Sequence, residues 1–404
     1  MRVCVLGAGI VGLATAYSLD RAGHEVTVID KALPGGGASG GNGAQLSYAY
    51  VQPLADPSIW KQLPKLLLSP SSPLKIRPRL DPLQWLWGLR FLLACNAAAS
   101  RATTVQLLGL ADESRLAFDA MMAAEKLDCD FSASGKLVLY PDAKSFAAAQ
   151  RQMALQQAMG NAQEAIDARR CVEIEPALAH HQRYISGAIH TPGECAADCQ
   201  KVCDGLLAAL RARGVKFLLD TPVHGLLVRS GAVVAARTGQ GAVEADAYVL
   251  ALGAASSQLA RPLGIRLPVY PLKGYSITVN VQGDAARGAP VVSVTDSARK
   301  VVFARIGSRL RIAGMAELGG YDTRISSRQI DSLKASVQSL FPDCGSHQET
   351  HPWAGLRPAT PTALPVIGRQ ATGPANLLFN TGHGGLGFTL AFGSAGRIAR
   401  QLGS

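Results

Sequence analysis

A glycine-rich turn between the first strand and the first helix constrains this chain more than any other feature of its sequence. The stretch VCVLGAGIVGLATAYSLDRAGHEVTVID places Gly7, Gly9 and Gly12 in G-x-G-x-x-G spacing directly after a short apolar strand. An apolar helix is predicted from Ile10, and a second strand ends at Asp30. This pattern predicts a dinucleotide site, because the glycines permit a tight turn and close packing while the helix N-terminus attracts phosphates. Asp30 stands where a carboxylate can accept a hydrogen bond from a ribose hydroxyl.

Composition and charge exclude several classes of protein. Of the 404 residues, 48% are hydrophobic and 17% are charged, which predicts a large buried core and room for two domains. No apolar run outside the first βα unit is long enough to span a membrane. The net charge is +11, but the basic residues are scattered, so we expect no nucleic acid partner. Cleavage of the N-terminal apolar run as a secretory signal would destroy the first βα unit, so we expect a cytoplasmic protein.

The eight cysteines favour packing over disulfides or metal binding. No C-x-x-C pair occurs in the chain. Cys195, Cys199 and Cys203 recur every four residues and would share one face of a helix, but the first and last would lie about 12 Å apart. That distance is too great for one metal ion, so the sequence predicts no metal site.

The order of predicted elements indicates an α/β fold that is interrupted by a second domain. The apolar strand at 248–252 is typical of the last parallel strand of a nucleotide domain, although it lies far along the chain from the first βαβ unit. We therefore expect a discontinuous Rossmann-like domain and an α+β substrate domain with a mixed or antiparallel sheet. The expected bounds are 1–65, 185–262 and 350–404 for the Rossmann-like domain, and 66–184 and 263–349 for the substrate domain.

Two further glycine-rich stretches favour FAD over NAD as the dinucleotide. The loop 34–43, PGGGASGGNG, offers a second close backbone approach soon after Asp30, which suits a longer ligand. No second G-x-G-x-x-G has the strand and helix that a nicotinamide site needs, so the organic substrate itself must reduce the flavin. Gly382 to Gly387 head a predicted helix at 388–402, whose N–H groups and dipole can stabilise negative charge on a reduced flavin ring.

At this point the sequence resembles a known family, the FAD-dependent D-amino acid dehydrogenases of bacteria within the D-amino acid oxidase and glycine oxidase superfamily. The matching motifs span the chain in the family's order: VLGAGIVGLATAYSLDRAGHEVTVID, LDTPV, VYPLKGYS, IAGMAE, GLRPATPTALPVIGR and NTGHGGLGFTLAFGSAG. The resemblance implies an FAD-binding domain of the glutathione-reductase type and non-covalent FAD. It also implies oxidation of a D-amino acid to an imine, which hydrolyses to a 2-oxo acid and ammonia, with electrons passing to a quinone or respiratory acceptor.

The resemblance also implies roles for particular residues. Arg357, in GLRP, would pair with the substrate carboxylate, and Tyr50 and Tyr275 would lie in the substrate pocket. The alternatives are a surface or helix-capping arginine and half-buried core tyrosines. The residues expected to contact FAD are Gly7, Gly9, Ile10, Val11, Gly12, Asp30, Lys31, Ser39, Asn42, Gly43, Ala44, Gln45, Val223, Gly253, Gly384, Gly385, Leu386, Gly387, Phe388 and Thr389.

Residues 60–95 carry an apolar, aromatic and basic segment that favours contact with a membrane surface. Trp60, Trp85 and Trp87 lie within it, beside a run of leucines. The basic residues that flank or interrupt it are Lys65, Lys75, Arg77, Arg79 and Arg90. An apolar helix too short to span a bilayer, with tryptophans and cations, is typical of an interfacial anchor. A buried helix of the substrate domain or a dimer contact is the alternative.

Several functions remain open from the sequence alone. Related enzymes that oxidise hydroxyproline, glycine or N-methyl amino acids share these motifs. A flavin-binding protein without catalytic activity, or one that docks on the membrane surface, is the alternative from a different class. The favoured interpretation is a cytoplasmic enzyme, peripheral on the inner face of the membrane, that oxidatively deaminates D-amino acids.

Overall fold

A computed structural model describes residues 1–51, 53–60, 74–157, 160, 162–345 and 350–403. Its strands are β1 (Arg2–Leu6), β2 (Glu25–Ile29), β3 (Gln45–Leu46), β4 (Leu74–Ile76), β5 (Lys136–Tyr140), β6 (Glu164–Ile166), β7 (Gly187–Thr191), β8 (Cys195–Ala196), β9 (Lys216–Leu218), β10 (Val223–Arg229), β11 (Ala232–Thr238), β12 (Gly241–Val243), β13 (Ala247–Leu250), β14 (Tyr270–Asn280), β15 (Ser293–Asp296), β16 (Val301–Ile306), β17 (Arg309–Leu318), β18 (Thr350–Ala359), β19 (Val366–Arg369) and β20 (Leu377–Thr381).

The α-helices are α1 (Ile10–Arg21), α2 (Pro82–Ala94), α3 (Ala97–Glu125), α4 (Ala143–Gln157), α5 (Ala168–Ile174), α6 (Cys199–Ala212), α7 (Ser256–Ala260), α8 (Ala285–Gly288), α9 (Ser327–Leu340) and α10 (Gly387–Gly403). Short 3₁₀ helices cover Pro176–Tyr184, Gly253–Ala255, Arg261–Leu263 and Gly384–Leu386. Polar side chains begin several α-helices by accepting hydrogen bonds from free N–H groups of the first turn: Asp81 for α2, Asn96 for α3 and Asp198 for α6.

The first sheet is the expected Rossmann-like core. Within the described part of the chain, it has six strands in the order β19-β20-β13-β1-β2-β9. All neighbouring pairs are parallel except the edge pair β19–β20. Its central strands β1 and β13 are buried except at Arg2, because α1, α6 and α10 cover one face and loops and small strands cover the other. The predicted first βαβ unit and the predicted strand at 248–252, observed as β13, therefore meet in one sheet.

The second sheet is mixed, as expected for a substrate domain. Its described strands follow the order β18-β14-β17-β16-β15-β5-β7-β6, with β4 added beside β17. Most pairs are antiparallel, while β15–β5 and β17–β4 are parallel. One face packs on α9 and forms a separate core. Smaller sheets join β10-β11-β12 and β3-β8. Together these features confirm the predicted α/β class.

The predicted domain bounds stay a prediction, because strand pairing alone does not define them. The boundary at residue 65 lies outside the described residues. Strands β7 and β18 fall in ranges assigned to the Rossmann-like domain, yet they pair with β5 and β14 of the second sheet.

The three cysteines considered as one helical face are divided between two elements, since Cys195 lies in β8, whereas Cys199 and Cys203 lie in α6. The chain leaves the strand at residue 196, and Asp198 starts the helix only afterwards.

Candidate active site

A cleft of about 2310 Å³ lies between the carboxyl ends of the first sheet and one face of the second sheet. Parallel α/β sheets place ligands at this edge because the loops that follow the strands open there. Ordinary ligand pockets measure roughly 300–1,000 Å³, so the cleft has room for a dinucleotide together with a small substrate.

The cleft is lined by most of the residues that the sequence singles out. They are Gly9, Ile10, Val11, Asp30, Lys31, Ser39, Asn42, Gly43, Ala44, Gln45, Tyr50, Val223, Gly253, Arg357, Gly384, Gly385, Leu386, Gly387, Phe388 and Thr389. Gly7, Gly12 and Tyr275 are not among the lining residues.

The two glycines outside the cleft allow the first turn to form. Gly7 has φ +116°, and a Cβ there would stand 2.5 Å from the carbonyl oxygen of Ala251. A Cβ on Gly12 would collide with the carbonyl oxygen of Gly7. Only glycine fits at either position, so β1 and α1 pack closely and Gly9 is left facing the cleft.

Asp30 closes the adenosine end of the site expected from the sequence. Its carboxylate accepts hydrogen bonds from the backbone N–H of Ala8 at 2.6 Å and of Ala32 at 3.0 Å. Burial raises the pKa of Asp30, and these N–H donors oppose that effect. Ser39 lies on the opposite side of the turn, where its Oγ accepts from the Ile10 N–H at 3.0 Å. An anion at the start of α1 would find the same N–H group.

The loop before β3 is held against the second sheet. The side-chain oxygen of Asn42 accepts from the N–H of Ala44 at 2.9 Å, and Ala44 has φ +57°. Arg311 of β17 donates to the carbonyl oxygen of Asn42 at 3.0 Å. Gln45 donates from Nε2 to the carbonyl oxygen of Phe303 at 3.2 Å. The loop thus forms a fixed wall of the cleft.

The glycine-rich start of the last helix forms the opposite end of the cleft. The helix α10 begins at Gly387, directly after the 3₁₀ turn Gly384–Leu386, and the residues of this turn line the cleft. Thr389 Oγ1 accepts from the N–H of Ser47 at 3.1 Å, which joins the helix to the loop after β3. His383 is buried with Nε2 at 3.1 Å from Ser394 Oγ, and burial lowers its pKa to about 3. A neutral His383 cannot serve as a general acid at neutral pH.

Arg357 brings a cation into the cleft wall. From β18 its side chain crosses Gly274, so that Nη1 donates to the carbonyl oxygen of Met315 at 2.8 Å and Nη2 approaches that of Gly314 at 3.5 Å. Burial lowers the pKa of Arg357 to about 10, which leaves the guanidinium charged at neutral pH. No carboxylate within the described residues lies in ion-pair range of it. The cleft therefore presents a cation that lacks an anion.

The structure separates the two predicted pocket tyrosines. Tyr50 lines the cleft. Tyr275 is 1% exposed and lies in the core of the second sheet, where its hydroxyl donates to Glu317 Oε2 at 3.1 Å. A register irregularity between Lys273 and Tyr275 accompanies this placement. The structure does not bring Tyr275 together with Tyr50 and Arg357.

Lys136 is a cleft residue that the sequence analysis missed. It is the first residue of β5, is 2% exposed, and donates from Nζ to Ser47 Oγ at 2.8 Å. Its Nζ lies 4.3 Å from the ring centre of Tyr50. Burial lowers the pKa of Lys136 to about 8, and the nearby Glu194 carboxylate opposes this shift. The available signal was a lone charge that opens the apolar strand GKLVLYP.

Only some of the apolar side chains in the segment expected at a membrane surface are exposed to solvent. Trp60 and Trp85 are exposed, as are Leu89 and Leu93, on or near α2. Trp87 instead is 8% exposed and donates from Nε1 to the carbonyl oxygen of Ala359 at 2.9 Å. Its predicted role at the surface is therefore corrected, because α2 turns this side chain towards β18. The predicted flanking Lys65 lies outside the described residues.

Metal and membrane-spanning features are absent from the described residues. No group of three or more His, Cys, Asp or Glu side chains there could hold a metal ion. None of the described helices combines the length and the apolar character needed to cross a bilayer. The cations that line the cleft are Lys31, Lys136, Arg237, Lys300 and Arg357.

Comparisons with known proteins agree with this architecture. Residues 2–401 match the family model described as FAD dependent oxidoreductase, DAO. D-amino acid dehydrogenase 2 of Ralstonia nicotianae is 46% identical, with 99% of this chain and 96% of that protein covered. D-amino acid dehydrogenase 2 of Pseudomonas aeruginosa is 43% identical, with 100% and 95% covered.

The fold is shared with a solved structure, and the residues of the cleft fit FAD. Glycine oxidase from Geobacillus kaustophilus has a TM-score of 0.78 at 21% identity, with 99% of this chain and 95% of that chain covered, which shows the shared fold. The tight turn at Gly7, the close packing at Gly12 and the starts of α1 and α10 beside the cleft fit a bound FAD. The chain is an enzyme that belongs to the family of FAD-dependent oxidoreductases.

Proposed function

We propose that this enzyme oxidises D-amino acids to imines, which hydrolyse to 2-oxo acids and ammonia. The observation that carries the proposal is Arg357, a charged guanidinium in the cleft with no carboxylate partner among the described residues. A planar guanidinium binds a carboxylate through two parallel hydrogen bonds, and a carboxylate is common to all amino acid substrates. The full-length relatives named D-amino acid dehydrogenase support this substrate class.

The residues of the cleft would divide the work as follows. The turn at Gly9, together with Asp30 and Ser39, would hold the adenosine and pyrophosphate end of FAD. The start of α10 would face the ring, and the bound flavin supplies the two-electron acceptor. Arg357 would fix the substrate carboxylate, so that one enantiomer presents its Cα–H to the ring.

Proton handling needs no strong base in this proposal. The α-amine must be neutral before Cα–H is broken, and water in the wide cleft can take its proton. Tyr50 lines the cleft and would contact the substrate, whereas the neutral His383 would hold the 382–387 turn through Ser394. Positioning of the substrate is therefore the main contribution of the protein.

We further propose that a quinone or another respiratory acceptor reoxidises the enzyme at a membrane surface. The support is the exposed apolar side of α2, where Trp85 is 60% and Leu93 69% exposed, beside the exposed Arg90. Such a face suits the boundary between headgroups and acyl chains. Trp85 and Trp87 both line the cleft, so the docked face would lie beside its entrance.

Anaerobic flavin bleaching tests the proposal. D-amino acids should bleach the absorbance of bound FAD, while the matching L-amino acids serve as the control. Bleaching by hydroxyproline, glycine or N-methyl amino acids in place of D-amino acids would reassign the substrate. No bleaching by any of them, with FAD bound, would favour a non-catalytic flavin protein.

We predict that FAD is bound non-covalently. Acid precipitation should release a yellow supernatant, and flavin retained in the pellet would contradict it.

Turnover with a dye acceptor should exceed peroxide formation in air; equal rates would identify an oxidase instead.

A further inference from the structure

We propose that Lys136 is a second anion-binding position of the cleft, and that the preferred substrates are D-amino acids with a carboxylate at the end of the side chain. This inference rests on the proposed function, since it names the substrate class of the same site. In this binding arrangement, Arg357 holds the α-carboxylate of the substrate and Lys136 holds its side-chain carboxylate.

Lys136 has donors to spare for such a group. An ammonium carries three N–H donors. In the described structure one of them is used by Ser47 Oγ, and the ring face of Tyr50 covers part of the charge. No described carboxylate lies within ion-pair range of Nζ, although the side chain is 2% exposed. Buried cations are normally paired, so an anion from outside the chain is the missing partner.

Glu194 does not fill this role. Its Oε1 accepts from the N–H of Ala49 at 2.7 Å, and no hydrogen-bond partner of Oε2 occurs among the described residues. Glu194 is buried and is not among the residues that line the cleft. Its influence on Lys136 is therefore exerted through space from behind, and it favours the charged ammonium. Tyr50 is the other titratable group that faces Lys136.

The positions of the two cations on the second sheet set the length of the substrate. Arg357 reaches the carbonyl groups of β17, and Lys136 belongs to β5. In the strand order β17-β16-β15-β5, three spacings of about 4.8 Å separate the strands, and the register places Lys136 in line with Arg311, three to four residues from Met315, so the two backbone positions lie roughly 18 Å apart. The lysine stem shortens this gap but does not close it. A molecule with acidic groups several bonds apart bridges the remainder.

The same span argues against Lys136 as the base for the α-amine. The amine and the α-carboxylate of an amino acid are bonded to one carbon. When the carboxylate is on Arg357, the amine stays beside it, whereas Lys136 Nζ is directed to Ser47 and Tyr50. Ser47 also contacts Thr389 at the start of α10, so this end of the pocket remains next to the predicted flavin site.

Matched substrates and a lysine variant test the inference. The wild-type holoenzyme should have at least tenfold higher kcat/KM for D-glutamate than for D-glutamine, which has the same shape without the charge. In Lys136→Met the ratio should fall to about one. Lys144→Met, on the exposed side of α4, is the control and should keep the wild-type ratio. Equal kcat/KM for both substrates in the wild type would overturn the inference.

Binding of non-reactive acids separates this inference from the proposed function. Glutarate should bind the FAD-loaded protein at least tenfold more tightly than butyrate by calorimetry, and Lys136→Met should remove the difference. If no D-amino acid bleaches the flavin, the proposed function fails while the glutarate result still decides whether Lys136 binds anions. A preference retained in Lys136→Met but lost in Lys300→Met, another cleft lysine, would reject Lys136. If Lys136→Met does not retain FAD, Lys136→Gln replaces it in the same measurements.

Discussion

Replacing Arg357 with alanine removes the cation on which the proposed substrate contact depends. The guanidinium already donates to the carbonyl oxygen of Met315 and approaches that of Gly314. Since a guanidinium has five N–H donors, about three remain for a ligand. These two carbonyl contacts also fix the orientation of the planar group, so a bound carboxylate would meet donors that are already in place.

The expected loss can be estimated from these contacts. A hydrogen bond to a charged group contributes roughly 1.5–3 kcal/mol, so a bidentate pair contributes about 3–6 kcal/mol before water replaces part of it. If the net loss, after water has replaced part of the interaction, equals one such hydrogen bond, kcat/KM falls about tenfold, because about 1.4 kcal/mol corresponds to a factor of ten. We therefore expect Arg357→Ala to raise KM at least tenfold. Arg357→Lys should recover only part, since an ammonium lacks the planar fork.

The stability of Arg357→Ala without a ligand is a less sensitive measurement than its kinetics. The fall of the Arg357 pKa from 12.5 to about 10 corresponds to roughly 3 kcal/mol that disfavours the folded protein at every pH below about 10, where the cation is present in both states. Removing the arginine relieves this, but it leaves two carbonyl groups without a donor at about 1–3 kcal/mol each. The two effects nearly cancel, so we expect little change in Tm without a ligand.

Steady-state kinetics with a dye acceptor, together with thermal shifts in butyrate, provide the assay. Butyrate should raise the Tm of the wild type and not that of Arg357→Ala, because only the wild type gains a partner for its cation. FAD content, measured by absorbance, is the control for folding. An Arg357→Ala enzyme with wild-type kcat/KM and an intact butyrate shift would refute the role of Arg357.

Three further predictions follow from features of the fold. Gly12→Ala should abolish FAD retention after gel filtration, because its Cβ has no space beside β1; a yellow variant would contradict this. Trp85→Ser should bind anionic vesicles less than the wild type in a flotation assay, and equal binding would reject docking through α2. The preference for D-glutamate over D-glutamine should decline as pH rises through about 8, because Lys136 then loses its charge while Glu194 and Tyr50 face it; a constant ratio up to pH 9.5 would contradict it.

Local patterns predicted the parts of the site that local geometry determines. The turn at Gly7 and Gly12 follows from steric limits between adjacent elements, and Asp30 follows from the end of a strand. The glycine-rich start of α10 was likewise visible in the sequence, and the structure places it in the same cleft.

The orientation of side chains on long elements could not be predicted in the same way. Trp85 and Trp87 lie two residues apart on α2, yet only Trp87 meets β18, and no local pattern distinguishes them. Tyr275 lies on a strand with partners on both sides, so its burial depends on packing that distant residues supply. Lys136 becomes significant only when β5 is placed opposite the loop that carries Ser47.

The order of strands in the first sheet has a consequence for synthesis on the ribosome. The first strand, β1, lies beside β13, which in turn pairs with β20, and α10 packs on α1. The opening βαβ unit gains β9, β13 and α6 from the middle of the chain, but α10 is made only after almost all the other elements. Until α10 has emerged from the exit tunnel, the apolar side of α1 stays exposed to chaperones or to other nascent chains. Cofactor loading should consequently wait until α10 has been synthesised, and slow translation of that segment would delay it.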